Sequence, residues 1–523
     1  MKNLISGKGL LAASMVIPLT ACSPGKHQDE EKPNIIIFIV DDMGWQDTSV
    51  PFWKEKTEFN RLYETPAMER LAAEGMLFSQ AYASSVCSPT RVSLLTGMNA
   101  ARHGVTNWTL RSDTSVDGHD EVLDFPEWNV NALQPPGTGI PFSVEANTLP
   151  QILRDNGYFT IHCGKAHLGA MDTPGADPLN LGFDINIAGH AAGGLGSFLG
   201  TRNFGNQVKG EHTLPWGVPL MESYHGEDIF LTEALTLEAI KALDSARLSG
   251  KPFFLHMSHY AVHIPIEKDM RFYQKYRDKG MCETEAAYAS MLEGMDKSLG
   301  DIMDYLQENN LAENTIILFI SDNGGLSAVA RGGEPHTHNL PLRSGKGSAY
   351  EGGIRVPMLA KWAGVVKPGS QTDALVVVQD FFPTILEMTR LENYNVIQKV
   401  DGVSLTPVLK GSDDNFTNRK LVWHYPNNWG PSGPGIGTTS TIRKGDWKLI
   451  YWYAYERFEL YNLADDIGEQ NNLAAQMPDK VSQLAGNLGS FLRNVNAMRP
   501  SFISTGDEAV WPDEVKQLTE SNH

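Results

Sequence analysis

The chain runs to 523 residues with 62 acidic against 43 basic side chains, a formal charge of −19. That acidity excludes nucleic acid as a partner, because phosphate binding needs a basic face. It leaves anionic substrates open, since a few cations or one divalent ion can reverse the field inside a single cleft. The length exceeds what one hydrophobic core usually holds, so two packed units are expected, and four cysteines are too few for a disulfide framework.

At the amino terminus Lys2 and Lys8 flank an apolar run over residues 10–19 that is too short to span a membrane and reads as a secretory signal. Leu19-Thr20-Ala21-Cys22 resembles the lipobox of bacterial lipoproteins, which are cleaved before a cysteine that then receives lipid. On that reading residues 1–21 are a signal peptide and Cys22 anchors the protein to the membrane. The polar stretch 22–33 is then a flexible tether, and the protein is exported and held at the outer membrane, the cell surface or the periplasmic face. A plain secretory signal with a chance cysteine is the alternative.

Asn34-Ile-Ile-Ile-Phe-Ile-Val40 is a continuous, β-branched apolar run, the pattern of a strand buried on both faces of a largely parallel sheet. A run of the same kind at 315–320 and shorter strands at 158–163 and 253–257 follow, each ending in a polar loop. Between them the stretch 283–308 carries Ala287, Met291, Met295, Leu299 and Met303 as an apolar stripe at helical spacing. The alternation predicts an α/β domain over 34–415 with a large central sheet flanked by helices. From 416 to 523 the texture changes to short strands at 420–424, 440–443, 447–453 and 458–461, then a helix at 480–493, which describes a four-stranded antiparallel sheet with one helix. Cys163 and Cys282 are expected to be buried free thiols, with a disulfide between them in an oxidising compartment as the alternative.

Ligands of open α/β sheets collect beyond the carboxyl ends of the strands. Asp41-Asp42 and Asp322-Asn323 stand at two such ends and offer only oxygen donors, which suits a hard cation such as Ca2+ or Mg2+ and not a thiolate or imidazole metal. Strand-end aspartates also serve as turn formers and helix caps, so neither pair decides by itself. In Cys87-Ser88-Pro89-Thr90-Arg91 the proline suits a helix start, which places residue 87 where backbone N–H groups and the helix dipole favour an anion.

Cys87-Ser88-Pro89-Thr90-Arg91 followed by Leu94-Leu95-Thr96-Gly97 resembles the signature of the formylglycine-dependent type I sulfatases of the alkaline phosphatase superfamily. The likeness extends from the Asp41-Asp42 strand to Glu459-Leu460-Tyr461-Asn462-Leu463 and includes Glu351-Gly352-Gly353-Ile354-Arg355-Val356-Pro357. It implies an alkaline-phosphatase-like mixed sheet, a Ca2+ held by Asp41, Asp42, Asp322, Asn323 and residue 87, and conversion of Cys87 to formylglycine by a separate maturase. An aldehyde hydrate has two hydroxyls, so one can be sulfated while the other collapses to the carbonyl and expels sulfate; a serine would stay trapped as its ester. The resemblance further implies that Arg91, Lys165, His167, His263 and Lys346 complete the catalytic set. Gly164-Lys165-Ala166-His167 departs from the family's Lys-Trp-His loop by Ala166 in place of the aromatic.

The implied substrate is a sulfated oligosaccharide or glycan such as mucin or glycosaminoglycan, with a galactose-type sugar expected. His190, His336, His338 and His424, with Trp429, are the candidates for sugar contacts. Two rival activities stay open at this point: a phosphodiester or phosphonate monoester hydrolase with the same signature, and a lipoprotein that binds sulfated glycans without turnover.

Overall fold

The structure, a computed structural model, describes residues 7, 32–206, 215–328, 331–391, 394–412 and 415–515. The expected signal peptide apart from residue 7, Cys22 and the tether up to residue 31 lie outside them. No helix among the described residues is long and apolar enough to cross a membrane.

The first part of the chain supplies β1 (Asn34–Val40), α1 (Pro66–Glu74), β2 (Met76–Tyr82), α2 (Cys87–Thr96), β3 (Phe159–Gly164), β4 (Ile185–Ile187), α3 (Leu231–Ser249) and β5 (Phe253–Ser258). It continues with α4 (Glu283–Glu308), β6 (Thr315–Ser321), β7 (Arg355–Lys361), β8 (Ser370–Thr372), β9 (Val376–Val377) and α5 (Phe381–Met388). The strands form one nine-stranded sheet in the order β8-β2-β7-β6-β1-β5-β3-β4, with β9 also beside β2. All pairings are parallel except those of β7, which runs antiparallel to both β2 and β6. The sheet is therefore mixed.

Successive side chains of a strand point to opposite faces, and β1 shows the consequence. Ile36, Phe38 and Val40 join the core beneath α1, α3 and α4, where the Ala287, Met291, Met295, Leu299 and Met303 stripe is buried. Ile35, Ile37 and Ile39 join the core beneath α2 and α5 on the other side. A strand covered on both faces has no polar side to display, which is why its sequence is unbroken apolar.

Two central strands carried no such signal. β2 is a mixed run, Met-Leu-Phe-Ser-Gln-Ala-Tyr. In β7, Pro357 sits where the register to β2 shifts between Val356 and Met358, and an irregularity of this kind is where a proline, which cannot donate to the ladder, is tolerated inside a sheet.

The carboxyl-terminal strands β10 (Lys420–Tyr425), β11 (Thr439–Lys444), β12 (Trp447–Trp452) and β13 (Arg457–Asn462) form a consecutive antiparallel sheet. The helix α6 (Pro478–Asn494) buries Leu484, Leu488 and Leu492 against its Ile442, Leu449 and Leu460. A buried seam ties this sheet to the loop after β6: Lys448 on β12 lies 3.1 Å from Glu351 and 2.8 Å from Glu469. Cys163 is buried in β3 and Cys282 is exposed, both as free thiols, so the expectation of burial holds for the first and is corrected for the second, which stands just before α4.

Candidate active site

Sheet order decides what meets. β6, β1, β5 and β3 are neighbours running parallel, with Val40 beside Ser321 and Gly164 beside Ser258. Their carboxyl ends therefore deliver Asp322-Asn323, Asp41-Asp42 and Lys165 to one place although these lie up to 282 residues apart. Gly164 has φ +105°, and a Cβ there would lie 1.8 Å from the Ser258 carbonyl oxygen, so only glycine lets β3 turn this tightly against β5.

Helix α2 begins at Cys87, is buried along its whole length, and is closed by Gly97 at φ 72°. Its amino terminus points residue 87 at the strand ends, and the Sγ lies 3.8 Å from Asp41 Oδ1. Ligand atoms of Asp41, Asp42, Cys87 and Asp322 all fall within 4.8 Å of one another. Three buried carboxylates at that spacing repel one another strongly unless cations sit among them.

The protein supplies three. Arg91 donates from Nε (3.1 Å) and Nη2 (2.8 Å) to Asp322 Oδ2, and from Nη1 to the Lys165 carbonyl (2.9 Å) and Ser258 Oγ (2.6 Å). Lys165 Nζ donates to Asp41 Oδ2 at 2.7 Å, and Lys346 Nζ reaches Asp42 Oδ1 at 2.6 Å. Burial opposes the Asp42 charge, but Lys346, His263 and Lys165 outweigh it and hold the carboxyl at about 2. Asp322 is likewise lowered, because Arg91 and Lys165 overcome its burial. Asp41 is raised by burial and by the neighbouring Asp322, and burial pushes the Cys87 thiol up to about 12.

Charge and donor chemistry fit a hard divalent cation. Asn323 donates to Asp42 Oδ1 at 2.7 Å while its own Oδ1 is buried with no partner. An orphaned oxygen beside three carboxylates is a donor set that Ca2+ or Mg2+ completes.

Two imidazoles face the same space. His167 Nε2 donates to the Thr109 carbonyl (2.8 Å), and its buried Nδ1 has no partner. His263 Nε2 stands 3.8 Å from Asp42 Oδ2. Burial holds His167 far below the usual imidazole range and lowers His263 to about 3. Cys87, Asp42, His167, His263 and Lys346 together line a cavity of about 310 Å3.

All the expected metal and catalytic residues thus converge. The four expected sugar-contact histidines do not line the cavity, and two of them, His424 and His338, have ring nitrogens engaged elsewhere. His424 is buried with Nδ1 on Ser440 Oγ and Nε2 on the Met498 carbonyl, both at 2.7 Å. His338 accepts the Arg331 backbone N–H at 3.1 Å. His336 packs against Gly433, and His190 lies beside Tyr260, with its backbone carbonyl accepting from His167. Trp429, by contrast, lines the cavity.

Residues that sequence reasoning passed over do matter here. Asp47, five positions beyond Asp42 on the same loop, pairs with the fully buried Arg331 at 3.1 Å. Trp108 and Trp216 line the cavity. Asp47 could have been suspected from its place after the β1 acidic pair; an isolated arginine or tryptophan in an unpatterned loop carries no such signal.

The sulfatase family model matches residues 33–391, and the model for the N-sulphoglucosamine sulphohydrolase C-terminal region matches residues 345–496. A sulfatase of Formosa agariphila is 31% identical over 525 aligned residues, covering 90% of each chain. The N-acetylgalactosamine-6-sulfatase of Canis lupus familiaris is 26% identical, covering 88% of this chain and 79% of its own. The crystal structure of Ps i-CgsB in complex with k-i-k-neocarrahexaose has a TM-score of 0.69 at 26% identity, covering 88% of this chain and 93% of that one.

Proposed function

The chain belongs to the sulfatase family of sulfuric ester hydrolases, and from its site we propose that it releases sulfate from extracellular sulfated glycans through a formylglycine made from Cys87. The carrying observation is the cluster itself: residue 87 at a helix amino terminus, within reach of three carboxylates and ringed by Arg91, Lys165, Lys346, His167 and His263. Cations around three sulfate oxygens and groups able to move protons are what sulfuryl transfer needs.

Asp41, Asp42, Asp322 and Asn323, with one hydroxyl of the hydrated residue 87, would hold Ca2+, whose charge when bound favours an ionised hydroxyl there. Arg91 holds Asp322 and the β3 end in place, and Lys165 and Lys346 take the sulfate oxygens. One hydroxyl of residue 87 attacks sulfur as the bond from sulfur to the sugar oxygen breaks, a step of positioning and charge stabilisation. His263 protonates the departing oxygen; the negative charge of bound substrate raises its proton affinity above that of the buried free imidazole. Lys346 is the second candidate donor. His167 Nδ1 then takes the proton of the remaining hydroxyl, the bond from carbon to the sulfated oxygen breaks, sulfate leaves, and water adds to the aldehyde.

Similarity to N-acetylgalactosamine-6-sulfatases and to a structure holding a neocarrahexaose supports an oligosaccharide substrate, the former a galactose-type sugar. Lipidation at Cys22 would hold the enzyme at the outer membrane. Mass spectrometry of the peptide carrying residue 87, after expression with a maturase, together with sulfate release from defined sulfated saccharides, tests the proposal. A fully active enzyme with an unmodified thiol refutes the mechanism, and a large preference for phosphate diesters moves the assignment to phosphorus.

A further inference from the structure

Above Cys87 the cavity is walled by three tryptophans from three separate segments, Trp108, Trp216 and Trp429, and by the side-chain-free pair Gly193-Gly194. Their placement is built in. Trp429 lies across Gly347, which has φ +84° and whose Cβ, if present, would sit 2.0 Å from the indole ring. The segment bearing Trp429 is strapped to the one bearing Trp108: Asn427 Nδ2 donates to Asp117 Oδ2 (2.9 Å), Gly118 N donates to the Asn428 carbonyl (2.9 Å), Tyr425 Oη donates to Asn107 Oδ1 (2.8 Å), and Thr106 Oγ1 donates to Asn427 Oδ1 (2.5 Å). A Cβ on Gly194 would lie 3.6 Å from the Trp216 ring and 3.2 Å from that of His263, so Trp216 stands beside His263.

Charge is as informative as shape. Among the described residues lining the cavity, Lys346 is the one lysine or arginine, and the reacting sulfate already takes it up. A second sulfate or a uronate carboxylate entering beside the reacting sulfate would lose its water without gaining a further lysine or arginine among these described residues, and would meet the negative faces of indole rings. The apolar C–H face of a neutral pyranose meets those faces without that cost. A cavity of about 310 Å3 is at the small end of ligand sites, which run from roughly 300 to 1,000 Å3.

Resting on the sulfatase reading, we propose that Trp108, Trp216 and Trp429 form an aromatic collar that admits one uncharged sulfated sugar ring at a chain end and discriminates against rings bearing or adjoining further anions. The collar residues determine specificity by stacking and exclusion, and take no part in proton transfer.

The test uses the full-length matured enzyme and its Trp108→Ala, Trp216→Ala, Trp429→Ala and Trp429→Phe variants. Probes are 4-nitrophenyl sulfate, the 6-sulfates of galactose, N-acetylgalactosamine and N-acetylglucosamine, and a disulfated, uronate-bearing chondroitin disaccharide. For the best neutral monosaccharide, each alanine variant raises KM about tenfold, the effect of some 1.4 kcal/mol of lost stacking, with kcat nearly unchanged, and Trp429→Phe recovers most of the loss. The charged disaccharide shows at least about tenfold lower kcat/KM than that monosaccharide in the parent enzyme, the same free-energy scale. Equal turnover of the charged disaccharide, unchanged KM in the alanine variants, or hydrolysis of the aryl sulfate but of no neutral monosaccharide sulfate overturns the collar. Absence of sulfate release from every probe, with the aldehyde present at residue 87, overturns the sulfatase mechanism instead.

Discussion

Breaking the Asp47–Arg331 pair should uncouple the acidic loop after β1 from the loop that carries Lys346. Arg331 is wholly buried and Asp47 is 1% exposed, so solvent screens neither. The guanidinium donates to both carboxylate oxygens, at 3.1 and 3.2 Å, and lies 3.8 Å from the Tyr288 ring centroid. Asp47 also accepts from Tyr288 Oη (2.7 Å) and Gly44 N (3.0 Å). Two charge-assisted hydrogen bonds at roughly 1.5–3 kcal/mol each suggest a gross loss of about 3–6 kcal/mol. Removal of one partner from buried pairs costs about 3–5 kcal/mol, much of it the penalty of stranding the other charge. Asp47→Ala and Arg331→Met are therefore each expected to destabilise by about 3–5 kcal/mol, and the double variant by clearly less than their sum. Urea unfolding followed by tryptophan fluorescence reads this, with kcat/KM on 4-nitrophenyl sulfate beside it. Additive losses, or single variants within about 0.5 kcal/mol of the parent, the range of ordinary surface changes, would refute the latch.

Cys87→Ala and Cys87→Ser should keep the fold and lose turnover by about a thousandfold or more, the scale of removing a reacting group, and Asp322→Ala is expected to lose activity to the same degree; circular dichroism with sulfate release checks both. Chelation by EDTA should abolish activity and lower the thermal midpoint, with Ca2+ restoring both better than Mg2+. A hundredfold excess of ion over Kd would stabilise by about 2.7 kcal/mol, and an activity indifferent to chelator contradicts the metal site. Burial holds His103 at about 3 and His424 at about 4, below the unfolded value of about 6.5. Their contribution is present above that value and is lost as pH falls from there toward 3 to 4. Together they amount to about 2.7 kcal/mol per pH unit. A His103→Gln/His424→Gln variant should show a flatter loss of stability from pH 6 to 4.5 than the parent, and an equal slope would count against it.

How much could be read in advance follows from the range of the physics. β1 and α4 were legible to the residue, because burial on both faces and a helical apolar stripe are local patterns. The strands β10 to β13 were legible to within one residue at each end for the same reason. β7 was hidden by Pro357, which only the register shift makes acceptable. The histidines expected to touch sugar were chosen by chemical type alone, and type does not say whether an imidazole such as His424 spends its nitrogens on Ser440 and Met498.

By itself the sequence determined the chemistry on offer: oxygen donors at two strand ends, a cysteine at a helix start, and lysines and histidines in loops, all consequences of residue type and short-range spacing. Which of them meet was decided by the tertiary structure. Placing β1 between β5 and β6 puts Asp41, Asp322 and Lys165 on one patch, and the carboxyl-terminal loop brings Trp429 over residue 87's cavity. Those meetings depend on contacts hundreds of residues apart, where loop closure and packing, and not local pattern, select the neighbour.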